Sequence, residues 1–128
     1  MASHEEWLKR ARSSLGLAKS SNDESVYYED LCFQAQQAVE KALKALLIYH
    51  GAEPERTHNL YLLLEELERF VQIDDEVRSV LKLYNFAVLT RYPGEYLKVE
   101  RDEYEKSVAI AENCLKWVEG KINKNCDK

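Results

Sequence analysis

The stretch LCFQAQQAVEKALKALLIY, residues 31–49, decides the fold that this sequence predicts. It contains no Gly or Pro and is rich in Ala, Leu, Lys, Glu and Gln, which are strong helix formers. The opposite side of its apolar arc is mixed, because apolar side chains lie beside Gln37, Lys41 and Lys44. Such a helix has neighbours on both sides, so the stretch predicts the central helix of a bundle. Projected at 100° per residue, the apolar arc contains Leu31, Ala35, Ala38, Val39, Ala42, Ala45, Leu46 and Tyr49.

Capping signals place a helix before this stretch and another after it. Ser3 and Glu6 have the spacing of a capping box, which predicts the start of the first helix. The central helix is expected from about Ser25 to His50, with Gly51 as its C′ residue. Thr57 is expected to cap the third helix. The leucines of that helix follow the i, i+3, i+4, i+7 pattern: Leu60, Leu63, Leu64 and Leu67.

Two further helices complete the predicted bundle. Carboxylates at residues 74–76 favour a helix N-terminus, and Pro93-Gly94 ends that fourth helix. The fifth helix is expected from about Glu100 to Glu119, with Gly120 as its stop. Its expected inward positions are Tyr104, Val108, Ala111, Leu115 and Val118. We therefore predict an all-α fold, a single-domain antiparallel bundle of about five helices with a four-helix-bundle core. It comprises residues 1–123, and residues 124–128 are expected to be a frayed C-terminal tail.

Composition narrows the function. The chain has 128 residues and a net charge of −5, so it lacks the basic footprint of a generic nucleic-acid binder. Its three cysteines show no CxxC motif and are expected to be reduced thiols. The first turn, HEEW, is acidic where a signal peptide is basic, and no apolar run approaches the ~20 residues of a membrane span. We expect a cytoplasmic protein that does not bind a membrane.

A metal site is not expected. The sequence has one Glu-x-x-His, Glu55 to His58, whereas a di-iron bundle needs two such pairs and two further carboxylates. We therefore expect no metal and no cofactor.

Two groups of residues on the helices are candidates for anion binding. Lys41 and Lys44 lie one turn apart on the polar arc of the central helix; the alternative is an ordinary solvated face. His58 is expected in the first turn of the third helix, beside Thr57, where the positive pole of the helix can receive a phosphate. The alternative for His58 is packing near the cap or bonding to a nearby carbonyl.

The segment TRYPGEY, residues 90–96, is a third candidate. Arg91 lies between aromatic residues and is followed by Pro and Gly, which predicts a rigid polar corner at a helix end. The guanidinium suits phosphate, and Tyr92 or Tyr96 can stack on a base. The alternative is an Arg that satisfies carbonyls at the end of the fourth helix.

Taken in order, four motifs make the sequence resemble the HEPN family, the higher eukaryotes and prokaryotes nucleotide-binding domain. They are WLxxA at 7–11, QQAVEKALKA at 36–45, HNL at 58–60 and RYP at 91–93, and the resemblance covers about residues 7–118. It implies a helical bundle that forms a homodimer and acts with a minimal nucleotidyltransferase. In such pairs the HEPN protein is often an RNA-cleaving toxin and the nucleotidyltransferase its antidote.

Ribonuclease members of this family carry an Arg that is followed, after four to six intervening residues, by a His. Arg91 matches the Arg, but Tyr96, Leu97 and Lys98 occupy the positions of the His. An unperturbed Tyr, with a pKa of ~10, is a poor base at neutral pH.

The main expectation is therefore binding of a nucleotide or RNA by a dimeric protein. Two alternatives stand beside it. One is a metal-independent endoribonuclease toxin that uses Arg91 with Tyr96 or His58, and the other is a non-catalytic protein-interaction module. The expected nucleotide-binding residues are Lys41, Lys44, His58, Arg91 and Tyr92.

Overall fold

The computed structural model describes residues 2–21, 23–83 and 99–126 of the chain. Within these ranges the protein is helical and has no strand, which confirms the predicted all-α bundle. No helix of the described ranges is both long and apolar enough to cross a bilayer. The elements are α1 (His4–Ala18), α2 (Tyr28–Tyr49), α3 (Leu60–Leu67), α4 (Asp75–Arg78) with the 3₁₀ segment Ser79–Leu83 directly after it, and α5 (Arg101–Cys126).

Helix α2 is the centre of the bundle, as its sequence predicts. Its apolar arc is buried except for Tyr49, which is half-buried. Burial also extends beyond that arc, since Leu43 and Leu47 are fully buried on other sides of the helix. The helix packs against α1, α3, α5 and the 3₁₀ segment. The small Ala side chains allow this close approach on one side, and leucines fill the space on the others.

Side-chain contacts give the directions of the long helices. His4 at the start of α1 contacts Tyr49 at the end of α2, with ring centroids 5.3 Å apart, and Ser14 bonds Lys41 further along. Helix α1 is therefore antiparallel to α2. Tyr104 of α5 stacks on Tyr28 at 5.0 Å, so both helices begin at the same end of the bundle.

Ion pairs confirm the arrangement of α1 and α5. Arg12 pairs with Glu119 at 3.4 Å, and Lys19 pairs with Glu112 at 3.1 Å. Later positions on α1 thus meet earlier positions on α5, which makes these two helices antiparallel. The predicted inward positions of α5 are all buried: Tyr104, Val108, Ala111, Leu115 and Val118.

Two of the predicted helix ends are confirmed. The Ser3 hydroxyl accepts a hydrogen bond from the backbone N–H of Glu6 at 3.2 Å. At the end of α2, Gly51 has a φ of 85°, its N–H donates to the Ile48 carbonyl, and the next N–H donates to the Leu47 carbonyl. This is a Schellman motif, and its left-handed residue explains why Gly occupies the position.

The predicted start of α2 at Ser25 is wrong by a turn. The Asp23 carboxylate accepts hydrogen bonds from both the backbone N–H and the hydroxyl of Ser25, at 2.9 and 2.7 Å. This local turn competes with the helix, so α2 begins at Tyr28.

The predicted cap at Thr57 is also wrong. Asn59 is the N-cap of α3, because its side chain accepts a hydrogen bond from the Tyr61 N–H at 2.9 Å. Thr57 instead accepts a bond from the Asn59 N–H at 3.0 Å within the preceding loop.

The predicted stop at Gly120 is wrong, since α5 continues to Cys126. Val118 and Ile122 are buried on either side of Gly120, and their packing outweighs the low helix propensity of one Gly. The predicted end of the fourth helix at Pro93-Gly94 lies outside the described residues.

Cys32 and Cys114 are buried free thiols. Burial raises the pKa of Cys32 to about 11, against a smaller lowering by its hydrogen bond to Ser107. Burial raises the pKa of Cys114 to about 12. A thiolate is the nucleophilic form, so neither residue is suited to covalent catalysis at neutral pH.

Gly120→Ala is expected to stabilise the protein by about 0.5–1 kcal/mol, because Ala favours the helix and nothing lies within 4 Å of the added Cβ. Urea unfolding measures the change. Gly51→Ala is the matched control and should destabilise, since its φ of +85° strains an L-residue. An unchanged or lower stability of Gly120→Ala would contradict the helical assignment there.

Candidate functional site

The most unusual residue of α2 is a buried carboxylate. Glu40 is 3% exposed and lies among the core residues of the central helix. A buried carboxylate is costly unless hydrogen-bond donors surround it. Three donors do so here: Gln36 Nε2 at 3.4 Å, Lys44 Nζ at 3.2 Å, and His58 Nδ1 at 2.9 and 3.0 Å from the two oxygens. We refer to Gln36, Glu40, Lys44 and His58 as the Glu40 cluster.

Lys44 belongs to the interior of this cluster. Its side chain is 9% exposed, its ammonium bonds the Glu40 carboxylate, and it lies 5.5 Å from the ring centroid of Trp7 on α1. An exposed i, i+4 pair contributes only a few tenths of a kcal/mol, but that value does not apply to two buried ends. Because both side chains are buried, the alternative of an ordinary solvated face is wrong at Lys44, whose charge is paired with that of Glu40 inside the protein.

The two glutamines extend the network toward the surface. Gln37, which is half-buried, donates to the side-chain oxygen of buried Gln36 at 3.1 Å. The amide of Gln36 then donates to Glu40. Each amide therefore has its orientation set by its neighbour.

His58 is the exposed member of the cluster. Its side chain is 73% exposed, although its Nδ1 contacts a carboxylate that is 4% exposed. Because a carboxylate only accepts, the proton on Nδ1 is assigned to this bond. The ring is therefore held on one nitrogen, and the exposed remainder of the ring carries Nε2.

The loop after α2 brings His58 to Glu40. Glu40 lies about 14 Å from the end of α2 at the α-helical rise, so the connection runs back along the helix before α3 begins. His58 precedes α3 and is not in its first turn. The sequence suggests that His58 lies at the positive pole of α3 or bonds a nearby carbonyl. In the structure its hydrogen-bond partner is the Glu40 carboxylate.

Lys41 is directed to a different part of α1. Its ammonium donates to the hydroxyl of Ser14 at 2.8 Å, and Ser14 is 2% exposed. Ser14 and Trp7 lie about 10 Å apart along α1. The two lysines of the predicted polar arc therefore contact different positions on α1, Lys41 at Ser14 and Lys44 at Trp7.

The predicted site residues Arg91, Tyr92 and Tyr96 lie outside the described residues. Their roles in binding and catalysis stay predictions. Within the described part of the chain, no three His, Cys, Asp or Glu side chains come together in a group that could hold a metal ion.

Comparison with known proteins places the chain in a family. The family model described as the HEPN domain matches residues 4–121. The chain belongs to the HEPN domain family. No curated protein matches it.

Two solved structures resemble this HEPN protein over nearly their full length. The crystal structure of TT1696 from Thermus thermophilus has a TM-score of 0.81 and 30% identity, over 94% of this chain and 99% of that one. The crystal structure of ST0689, an archaeal HEPN homologue, has a TM-score of 0.74 and 28% identity, over 95% of this chain and 99% of that one. These similarities confirm the family and the bundle.

Sequence reasoning on this HEPN chain missed Glu40 as the centre of the cluster. A signal was present, because Gln36, Glu40 and Lys44 recur every four residues and so share one face of α2. Leu43 and Leu47, which repeat at the same spacing one residue earlier, mark that side of the helix as buried. Polar side chains at the spacing of buried ones indicate an internal network.

Glu40→Gln and Lys44→Met are each expected to destabilise the protein, by up to about 3–5 kcal/mol, because each leaves a buried charge without its partner. The double variant should lose about 0.5–3 kcal/mol less than the sum of the single losses. Urea unfolding of all three gives the coupling free energy. Glu105→Gln removes one end of the exposed Arg101–Glu105 pair and should change stability by less than about 0.5 kcal/mol. Strict additivity of the two buried substitutions would contradict the pairing.

Proposed function

We propose that this HEPN protein binds a nucleotide or RNA at the Glu40 cluster and acts with a minimal nucleotidyltransferase partner. One observation carries the proposed binding site: a buried carboxylate holds the Nδ1 of a histidine whose side chain is 73% exposed. A surface histidine without such an anchor samples several rotamers. His58 presents one ring orientation to a ligand before the ligand arrives.

The charges within the Glu40 cluster support His58 as the residue that contacts a ligand. Lys44 is buried and its ammonium is paired with the Glu40 carboxylate, so its charge is used inside the cluster. Protonated His58 adds a charge and a donor at the surface, which suits a phosphate oxygen. With a net charge of −5, the rest of the chain disfavours polyanions, and binding is limited to a local site of this kind.

The proposal keeps the remaining predicted ligand residues on the grounds of their chemistry. Arg91 supplies a planar fork for phosphate and Tyr92 a ring for stacking on a base. Lys41 is half-buried on α2 and bonds Ser14, so a phosphate contact requires exchange of that bond.

A second candidate function is metal-independent cleavage of RNA, with His58 in the role of the missing histidine. The Glu40–His58 bond favours it, because a carboxylate on Nδ1 is how many enzymes orient a histidine for proton transfer from its other nitrogen. Arg91 would stabilise charge on the phosphate in this version, and Tyr96 is its other catalytic candidate.

Binding is tested by titrating AMP and a short single-stranded RNA against the wild type, His58→Asn and Arg91→Ala. The Asn amide can still donate to Glu40 but lacks Nε2, so His58→Asn should fold normally and bind at least about tenfold more weakly, a loss of ~1.4 kcal/mol. Arg91→Ala should lose a comparable amount. Lys116→Ala, an exposed lysine on α5, is the matched control and should bind as the wild type does.

The same samples separate the candidate functions. RNA that stays intact on a gel supports binding alone, and RNA cut by the wild type but not by His58→Asn supports the ribonuclease. Equal weak binding by the wild type and both variants would contradict the proposed site and leave the protein-interaction module.

The dimer and the partner are a separate part of the proposal and rest on family membership. The protein at tens of micromolar should sediment at twice its 14.9 kDa chain mass. It should also co-elute with a minimal nucleotidyltransferase from the same genome when the two are mixed. A monomer that elutes apart from the nucleotidyltransferase would contradict this part while leaving the nucleotide site untouched.

A further inference from the structure

We infer that Glu40 is a positioning residue that couples phosphate binding at His58 to the uptake of a proton. The inference rests on the proposed function, since it concerns the same site, and it specifies which group of the ligand is recognised and under what condition. The recognised group is the phosphate, whether it belongs to a mononucleotide or to an RNA strand.

The first step is the charge of the cluster. Glu40 contributes −1 and Lys44 +1, with their atoms 3.2 Å apart and both side chains buried. Trp7 covers Lys44 from α1 without adding a charge, and Gln36 is neutral. The cluster is therefore neutral when His58 is neutral, and it carries +1 when His58 is protonated.

The second step is where that proton goes. The Glu40 oxygens lie 2.9 and 3.0 Å from Nδ1, which keeps the Nδ1 proton on that side of the ring. A second proton can therefore add only at Nε2, on the exposed part of the ring. Protonation at this nitrogen creates a charged donor directed away from Glu40, where a phosphate oxygen can accept it.

The third step is that the carboxylate does not require His58 for its own neutralisation. Lys44 already balances the charge, and Gln36 and Lys44 already donate to both oxygens of Glu40. The additional bond to an exposed histidine fixes the position of the ring. Glu40 is paired with His58, and Lys44 is paired with Glu40; both lie on α2.

The test is calorimetry of the full chain with ligands whose phosphate does not titrate near neutral pH. The probes are 3′,5′-cyclic AMP, for a nucleotide, and the RNA dinucleotide ApA, for RNA. Each is titrated at pH 6 and pH 8 in two buffers that differ in ionisation enthalpy. Histidine changes its charge in this range, so the affinity of the wild type should fall with rising pH, by up to about tenfold per pH unit. Up to one proton should be taken up for each ligand bound.

Two variants separate positioning from a structural role. His58→Asn should bind equally weakly at both pH values without proton uptake. Glu40→Met/Lys44→Met removes both buried charges, keeps their sum at zero and leaves no side-chain acceptor at position 40 for the Nδ1 proton. It should bind at pH 6 several-fold more weakly than the wild type, because His58 has lost its anchor. Circular dichroism checks that it is folded, and if it is not, His58→Asn alone decides.

The outcomes separate this inference from the proposed function. Coupling seen with cyclic AMP assigns the site to nucleotides, coupling seen with ApA assigns it to RNA, and each supports the inference. No binding of either probe by the wild type would overturn the proposed function itself. Binding that is independent of pH, equal affinity for phosphate-free adenosine, or wild-type affinity at pH 6 in the folded double variant would overturn only the coupling.

Discussion

The burial of the Glu40 carboxylate is the constraint on which the Glu40 cluster and the loop that carries His58 depend. A carboxylate that is 3% exposed has to be met by donors, and they come from two parts of the chain. Gln36 and Lys44 lie one turn to either side on α2, and His58 comes from the loop before α3. The same interaction thus holds the loop against α2 and gives an exposed imidazole one orientation.

Helix α2 contributes both to the hydrophobic core and to the Glu40 cluster. Its Ala and Leu positions form the centre of the core and contact α1, α3 and α5. Its polar positions, buried among them, form the Glu40 cluster. Membership of the HEPN family is compatible with both, because the shared fold requires the first set while a particular site requires the second. The net negative charge of the chain disfavours the binding of anions in general. A local positive charge is therefore needed to bind an anion. Protonated His58 can supply it, because the charges of Glu40 and Lys44 already cancel each other.

Most of the fold was predictable because the helical period is strong. The four leucines of α3 and the inward positions of α5 are buried as predicted. Errors occurred where a local signal competed with packing or with a nearby hydrogen bond. Gly120 has the propensity of a stop, but burial of Val118 and Ile122 carries the helix past it. Thr57 has the side chain of a cap, but Asn59 is two positions nearer to the first leucine and takes that role.

The sequence by itself determined the bundle, its central helix and the residues with the chemistry to bind an anion. Periodicity and capping act over one or two turns, so they are visible in the chain. Only the tertiary structure decided which of those residues meet. Glu40 and His58 are 18 positions apart, and their contact depends on a Schellman motif at Gly51 and on a loop that returns along α2. Lys41 and Lys44 look alike in the sequence, since both lie on the polar arc of α2. In the structure Lys44 donates to Glu40, whereas Lys41 donates to Ser14.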